Sequence, residues 1–187
     1  MKMKVVGVVG SPRRGGNTET LTRIALEEIA KEGLKTELIT LADKKIEPCD
    51  GCRRCSETGK CHIKDDFGSI AAKMKKADGI ILASPVYYGA ATPQMTSFIS
   101  RFYCMRGKPL RRKVGGPIVV ARRAGKNFTF AQLMFFFMIH EMIVPGSTYW
   151  NVAFGRGKGE VEKDEEGVKI IKKFARNVAW LVKKLHT

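Results

Sequence analysis

The sequence predicts an α/β protein built on a doubly wound, parallel sheet of five strands in the order 2-1-3-4-5. Short apolar segments without polar alternation, which are typical of strands buried on both faces, recur along the chain. Segments with a helical spacing of apolar residues separate them, as expected for strands and helices that alternate. Loops rich in Gly or Pro follow several strands, where open α/β sheets bind ligands. With 187 residues, the chain fits one domain that spans residues 1–187.

The strand and helix segments follow from apolar patterning and capping residues. In chain order, the predicted strands are residues 4–10, 36–41, 79–83, 117–121 and 149–154. The predicted helices are residues 21–33, 67–77 after a cap at Asp65 and Asp66, 93–105 after a cap at Thr92, 130–142 and 164–185. The fourth helix is apolar on nearly every side, so we expect it to be fully buried or partly an interface.

Composition and charge describe a globular protein with an acidic partner. The formal net charge is +16, from 34 Lys and Arg against 18 Asp and Glu. Such a charge predicts binding to nucleic acid, an acidic electron carrier or anionic cofactors, although most lysines are spread along helices as solvated surface. No apolar run reaches the ~18 residues of a membrane span, so no membrane partner is expected. Met1 leads into a strand without a signal peptide, which predicts a cytoplasmic protein.

The loop between the first strand and the first helix has the composition of a phosphate site. Residues 10–18 read Gly-Ser-Pro-Arg-Arg-Gly-Gly-Asn-Thr. Backbone N–H groups at the helix start, with the side chains of Ser11, Asn17 and Thr18, can hold a phosphate dianion. The P-loop Lys and the G-x-G-x-x-G fingerprint are both missing, which favours a terminal monophosphate, as in FMN. An ordinary turn capped by Asn17 remains the alternative.

Two further loops leave the same predicted edge of the sheet. In residues 84–93, Tyr87 and Tyr88 are suited to lie against a flat heteroaromatic ring, although two tyrosines alone more often belong to the core or its rim. Residues 122–127 carry two arginines, which are either solvated or placed to stabilise an anionic reduced flavin.

A compact cysteine array follows the second strand, in a loop of residues 42–64. Its spacing is C-x2-C-x2-C-x5-C, and its members are Cys49, Cys52, Cys55 and Cys61. Overlapping x2 spacings favour one cubane iron-sulfur cluster, whereas a structural zinc site usually separates its two pairs by a longer finger. Reduced free thiols and zinc remain alternatives. Cys104, outside the array, is expected to be a small buried hydrophobe.

These segments resemble a known family. The Gly10-Ser11-Pro12 and Gly16-Asn17-Thr18 segments, residues 84–89 and residues 98–101 resemble the NAD(P)H-dependent FMN reductases, which are flavodoxin-like. The cysteine array, continued by Thr58-Gly59-Lys60-Cys61 and Asp65-Asp66, is similar to the archaeal type of iron-sulfur flavoprotein within that family. The resemblance covers nearly the whole chain.

The resemblance implies two cofactors, FMN and a 4Fe-4S cluster held by the four array cysteines. The residues it implies for FMN are Ser11, Arg13, Gly16, Asn17, Thr18, Pro85, Val86, Tyr87, Tyr88, Gly89, Arg122, Arg123, Ala124 and Gly125. Relatives often carry Lys and Asp where Thr96 and Ser100 stand here, so these two receive no role. The family's assembly implies a homotetramer, a dimer of dimers, with a cluster near a flavin across a subunit contact.

The predicted function is that of an electron-transfer iron-sulfur flavoprotein. Electrons would pass from a ferredoxin-like donor, drawn by the basic surface, through the cluster to FMN and on to a small-molecule acceptor such as O₂, peroxide or a quinone. Electron transfer itself needs no general base, so no catalytic residue is predicted. Two alternatives stay open: an NAD(P)H-dependent FMN reductase without a cluster, and a zinc-bearing nucleic-acid module. The latter lacks a recognition motif, so nucleic acid is not an expected partner.

Overall fold

The computed structural model describes residues 3–105 and 107–186 of the chain. Within them, a parallel sheet has the strand order β2-β1-β3-β4-β5, which confirms the predicted fold class and order. The strands are β1 (Lys4–Val9), β2 (Lys35–Thr40), β3 (Gly79–Pro85), β4 (Val114–Ala121) and β5 (Val152–Phe154). The predicted domain of residues 1–187 also includes residues 1, 2, 106 and 187, which lie outside the described residues.

Helices cover both faces of the sheet. They are α1 (Asn17–Lys31), α2 (Cys55–Thr58), α3 (Phe67–Lys76), α4 (Pro93–Ser100), α5 (Lys126–Ile139) and α6 (Glu165–Leu185). Two 3-10 turns, Arg101–Cys104 and Glu160–Lys163, complete the helical segments of the described chain. The apolar residues of α1 and α6 belong to one core cluster, and those of α3, α4 and α5 to another. The sheet lies between the two clusters, as in a doubly wound fold.

The first strand shows why its sequence lacks polar alternation. Val6 and Val8 of β1 pack into the core cluster beneath α3, α4 and α5, while Val5 and Val9 pack into the cluster beneath α1 and α6. Because successive side chains of a strand point to opposite faces, a strand covered on both faces must be apolar throughout.

Several predicted boundaries differ from the observed ones. The helix predicted for residues 130–142 begins at Lys126 instead, because its polar first turn hides the start from an apolar pattern. The helix predicted to reach residue 105 ends at Ser100 and tightens into the 3-10 turn. The fifth strand is shorter than predicted, because Tyr149 and Trp150 lie outside it and are exposed.

The apolar helix α5 is only half covered by the rest of the chain. Leu133, Phe136 and Phe137 are buried against the sheet. On the other side, large apolar side chains stay exposed, namely Phe128, Phe135, Met138 and Ile139. Helix α5 is therefore not fully buried within the chain, and its exposed apolar side is the pattern expected of a helix that is partly an interface. No helix of the described residues combines the length and hydropathy needed to cross a membrane.

The ends of β1, β3 and α4 are joined at the carboxyl edge of the sheet. The N–H of Gly10 donates to the carbonyl of Ala83 at 2.8 Å, which aligns the first ligand loop with the second. Thr92 donates through Oγ1 to the carbonyl of Gly10 at 2.5 Å and accepts from the N–H of Met95, as its predicted cap role requires. The loops after these strands therefore start from one fixed platform.

Candidate functional site

The four array cysteines line one cavity of about 350 Å³, called here the cysteine cavity. Cys49 and Cys52 are exposed, whereas Cys55 and Cys61 are half-buried. Cys104, in the 3-10 turn after α4, also lines this cavity and is buried. The prediction for Cys104 holds for its burial but missed its position. Burial, together with the charges of Cys61 and Cys55, raises the pKa of the Cys104 thiol.

Local backbone geometry brings the cysteines together. The array folds as an irregular turn, the single helical turn α2 and a left-handed residue, Gly59, at φ 68°. The N–H of Gly59 donates to the carbonyl of Cys55 at 3.0 Å, which ends the turn and sends the chain back toward Cys61. Gly51, at φ 69°, bends the chain between the first two cysteines.

A buried ion pair closes the base of this loop. The side chains of Arg101 and Asp65 are each 1 % exposed, and Arg101 Nη1 donates to Asp65 Oδ2 at 2.7 Å. The guanidinium also donates to the carbonyls of Glu47 at 2.9 Å and Ile63 at 3.3 Å. Since these residues flank the array, Arg101 holds both ends of the cysteine loop against the end of α4.

The carboxylate of Asp65 is fully used by donors. It accepts N–H groups from Glu47 at 2.9 Å and Phe67 at 3.1 Å besides the guanidinium of Arg101. Burial raises the pKa of Asp65, but the hydrogen bonds from Arg101 and these backbone groups lower it further, so it stays below its usual range. Of the two residues predicted to cap α3, Asp65 accepts the N–H of Phe67, whereas Asp66, at the N-cap position, makes no side-chain cap bond and accepts the N–H of Lys45.

The outer rim of the cysteine cavity carries a small polar cluster. The ligand atoms of Asp50, Cys52 and His62 lie within 4.8 Å of one another, and all three residues are exposed. Asp50 accepts the N–H of Cys52 at 3.1 Å and pairs with His62 Nε2 at 2.7 Å. Hydrogen bonds from Cys52, and then the one from His62, lower the pKa of Asp50 to about 2. This cluster braces the two arms of the loop at its open side.

A second cavity, of about 600 Å³ and called here the basic cavity, opens at the carboxyl edge of the sheet. Nine of the residues predicted for FMN line it: Ser11, Arg13, Gly16, Asn17, Thr18, Pro85, Val86, Tyr87 and Arg122. The structure thus brings all three predicted loops to one cavity.

The other five residues predicted for FMN are not among those lining the basic cavity; they are Tyr88, Gly89, Arg123, Ala124 and Gly125. Tyr88 has a left-handed backbone at φ 51° and is fully exposed. A Cβ at Gly125 would lie 3.2 Å from the Cα of Gly89, so these two glycines let the second and third loops touch. Gly89 and Gly125 therefore pack the two loops together beside the cavity, and the FMN contacts predicted for all five residues stay predictions.

Sequence reasoning missed the part of the basic cavity that follows β5. Gly155, Arg156, Gly157 and Lys158 line it, together with Arg14, Val120 and Ala121. Lys158 lies over the first loop, because a Cβ at Gly15 would stand 3.4 Å from its Nζ. The alternation of Gly with basic residues at 155–159, Gly-Arg-Gly-Lys-Gly, is the signal that could have identified this fourth loop.

Asn17 fixes this fourth loop to the start of α1. Its Nδ2 donates to the carbonyl of Gly157 at 2.7 Å, and its Oδ1 accepts the N–H of Val161 at 3.4 Å. Helix α1 begins at Asn17 after Gly16 with no side-chain cap, so the capping role that the alternative gave to Asn17 is wrong. The uncapped helix start faces the cavity and offers its positive end to an anion.

Sequence comparison finds proteins named as flavoproteins that are similar to most of this chain. The model of the NADPH-dependent FMN reductase family matches residues 3–157. An iron-sulfur flavoprotein of Methanocaldococcus jannaschii is 45% identical over 97% of this chain and 98% of its own. An iron-sulfur flavoprotein of Methanosarcina thermophila is 33% identical over 94% and 93% of the two chains.

Structural comparison finds the same fold in more distant proteins. A flavodoxin-like WrbA-like protein of Agrobacterium tumefaciens superposes with a TM-score of 0.72 over 98% of this chain and 99% of its own, at 16% identity. RosB, solved with a bound riboflavin-phosphate intermediate, gives a TM-score of 0.80 over 98% of this chain and 80% of its own, at 21% identity. These similarities support the fold.

The ion pair at the loop base leads to a stability prediction. We expect Asp65→Asn to lower the free energy of unfolding by about 3–5 kcal/mol at pH 7, because Arg101 is left buried without its counter-charge. The lowered pKa of Asp65 means that its stabilisation is present above its unfolded pKa of about 3.9 and is lost as the pH falls through the folded value. The difference between variant and wild type should therefore shrink toward pH 3.

Urea unfolding of metal-free, flavin-free protein at pH 7 and pH 3 measures both effects. Asp66→Asn is the matched control, because the Asp66 side chain is 37% exposed and its partner Lys44 lies 3.8 Å away, so we expect a loss below about 1 kcal/mol. Equal unfolding free energies for the two variants at pH 7 would contradict the buried-pair argument.

Proposed function

The chain belongs to the iron-sulfur flavoproteins of the NADPH-dependent FMN reductase family, and from this premise we propose that it is an electron-transfer flavoprotein with a 4Fe-4S cluster. Family membership makes the protein an FMN-dependent oxidoreductase. The proposed path of electrons runs from a ferredoxin-like donor through the cluster to FMN and on to O₂, peroxide or a quinone. The single observation that carries the proposal is the convergence of all four array cysteines on one cavity.

The cysteine cavity suits an iron-sulfur cluster in its donor set. Four thiols of free cysteines surround it, and iron-sulfur clusters are held by four Cys thiolates. Arg101 lines the cavity, and its Nε is buried without a hydrogen-bond partner among the described residues. A buried N–H of this kind requires an acceptor, which the sulfur atoms of a cluster would supply. Cys49, Cys52, Cys55 and Cys61 are therefore the proposed ligands.

The basic cavity suits FMN in shape and charge. The uncapped start of α1, Ser11 and Thr18 line this cavity together with Arg156 and Lys158, and the ammonium group of Lys158 lies over the first loop, beside Gly15. A phosphate dianion would be held between the helix dipole and these cations. The apolar ends of β3 and β4 leave room for a flat ring system beside the phosphate.

The two cofactors would supply complementary redox chemistry, one-electron transfer by the cluster and two-electron storage by FMN. The chain itself would bind both groups and present a docking surface for the donor. Basic side chains around the cysteine loop are exposed, namely Lys44, Lys45, Arg53, Arg54, Lys60 and Lys64. Positive potential beside the cluster ligands would steer an acidic, ferredoxin-like protein toward this loop.

The family match also favours a second candidate function, direct reduction of FMN by NADPH without a cluster. The two functions differ in the content of the cysteine cavity. Iron and acid-labile sulfide in protein purified without oxygen support the electron-transfer function, and reduced thiols with NADPH-dependent flavin reduction support the alternative.

The cluster assignment predicts the spectra of four variants. We expect Cys49→Ser, Cys52→Ser, Cys55→Ser and Cys61→Ser each to lose most iron, acid-labile sulfide and cluster absorbance, because one thiolate ligand is removed. FMN should remain bound, since the basic cavity is formed by other loops. Anaerobic absorption spectra with iron and flavin analysis measure both cofactors.

Cys104→Ser is the matched control for these variants. Cys104 lines the same cavity but lies outside the proposed ligand set, so its replacement should leave the iron content unchanged. Four array variants with the iron content and visible spectrum of the wild type would refute the cluster.

The fourth loop predicts a phosphate-specific effect on FMN binding. We expect Lys158→Gln to raise the Kd for FMN roughly tenfold, because a charged hydrogen bond to phosphate contributes about 1.5–3 kcal/mol. The Kd for riboflavin, which has no phosphate, should not change. Quenching of flavin fluorescence on titration of apoprotein measures both values.

A charge-matched control separates this local effect from the overall basic charge. Lys169 on α6 is 80% exposed and lies outside the basic cavity, so Lys169→Gln should leave both Kd values unchanged. An unchanged Kd for FMN in Lys158→Gln would remove the fourth loop from the proposed phosphate site.

We also propose a homotetramer, a dimer of dimers, in the cytoplasm. The exposed apolar face of α5 and the exposed Tyr88 and Tyr103 supply surface for subunit contacts. We expect light scattering after size exclusion to give four times the mass of one chain, and Phe135→Lys to lower that mass by placing a charge in the contact. A monomeric mass for the wild type would contradict the proposal.

A further inference from the structure

We propose that Arg101 raises the midpoint potential of the cluster by directing its free Nε–H and its positive charge at the cysteine cavity. This inference deepens the proposed function and rests on its cluster. Arg101 would then be a positioning residue with two roles, closing the loop through Nη1 and Nη2 and stabilising negative charge in the cavity through Nε.

The first observation is how the guanidinium divides its donors. Nη1 donates to Asp65 Oδ2 and the carbonyl of Glu47, and Nη2 donates to the carbonyl of Ile63 and to Asp65 Oδ1 at 3.4 Å. Nε is buried and has no partner in the described part of the chain. The contacts that close the loop thus use Nη1 and Nη2, and the Nε–H remains without an acceptor.

The second observation is where this remaining donor stands. Arg101 lines the cysteine cavity together with all four proposed ligands, and its side chain is 1% exposed. Buried N–H groups without an acceptor are rare in native proteins, so the content of the cavity is expected to accept this one. Sulfur atoms of a cluster or its thiolates are acceptors, and hydrogen bonds to them are among the factors that set cluster potentials.

The third observation is that the charge is held in place before any ligand binds. Asp65, two backbone carbonyls and the ring of Phe67, 4.9 Å from the Arg101 Cζ, fix the guanidinium on the side away from solvent. Water screens a buried charge poorly, so its effect on a neighbouring redox centre is strong. Reduction adds negative charge to the cavity, and a fixed cation there favours the reduced form.

Replacing Asp65 predicts the direction in which the cluster potential shifts, which a role in loop closure alone does not. Its carboxylate partly neutralises Arg101, so removing the carboxylate leaves more positive charge beside the cavity, and removing both groups leaves none. Asp65→Asn should therefore raise the cluster potential, whereas the double variant Arg101→Gln with Asp65→Asn should lower it. A purely structural pair predicts no opposite shifts.

Redox titration of the anaerobically purified holoprotein, followed by EPR, tests the inference. We expect the double variant to shift the reduction equilibrium of the cluster at least tenfold toward the oxidised form, about 59 mV for one electron, and Asp65→Asn to shift it the other way. Arg101→Lys keeps the charge but loses the Nε–H, so a smaller downward shift is expected. The midpoint of FMN in the same samples should not move.

The controls separate failure of this inference from failure of the proposed function. Lys45→Gln removes an exposed cation from the same loop, outside the cavity wall, and should leave the cluster potential unchanged because solvent screens it. Wild-type protein purified without oxygen that contains no iron and no acid-labile sulfide would contradict the proposed function itself. If the wild type holds a cluster, three results would contradict the inference: unchanged potentials in the variants, shifts of the same sign in Asp65→Asn and the double variant, or loss of iron from every variant. Arg101 would then only close the loop.

Discussion

The Arg101–Asp65 pair is the interaction on which the arrangement of the cysteine loop depends. Residues 48–62 contain no long secondary structure, and the array by itself buries little apolar surface. The pair supplies what the loop lacks, because it links the chain before the array and the chain after it to the end of α4. A buried ion pair is a weak source of stability against an apolar replacement, but removing one partner is costly, so such a pair fixes geometry.

Side-chain hydrogen bonds also fix the loops around the basic cavity. Both the Nδ2 and the Oδ1 of Asn17 bond to the segment after β5, and Glu19 accepts the N–H of Gly15 at 2.9 Å. Asn17 was predicted to contact FMN, and in the structure its amide joins the start of α1 to the loop after β5, while Glu19 fixes the first loop at Gly15. The phosphate is then left to backbone N–H groups, hydroxyls and cations that approach from separate strands. The flavin would then bind to loops whose positions are already fixed by hydrogen bonds between them.

The sequence was sufficient for the order of the sheet and for the array cysteines, because apolar runs and cysteine spacing are local signals. It was not sufficient for the contacts of Arg101, because its partners Asp65 and Ile63 lie 36 and 38 residues away, and the segment of residues 98–101 does not indicate them. The same holds for Lys158 and Cys104, whose positions depend on how loops return to the sheet edge. The resemblance to iron-sulfur flavoproteins is confirmed by the comparisons, while the residue roles carried over with it stay predictions.

The basic residues that line the two cavities suggest specific roles for part of the chain's positive charge. Both cavities would hold anions, a sulfur-rich cluster in one and a phosphate in the other, and each contains cations that differ in burial. Arg156 and Lys158 are exposed and adjustable, which suits the binding and release of a soluble phosphate. Arg101 is sealed behind the loop, where its field is strong and constant, which suits a redox centre whose charge changes while it stays bound. Burial, more than the number of basic residues, therefore separates the cations that would bind a cofactor from the one that would tune it.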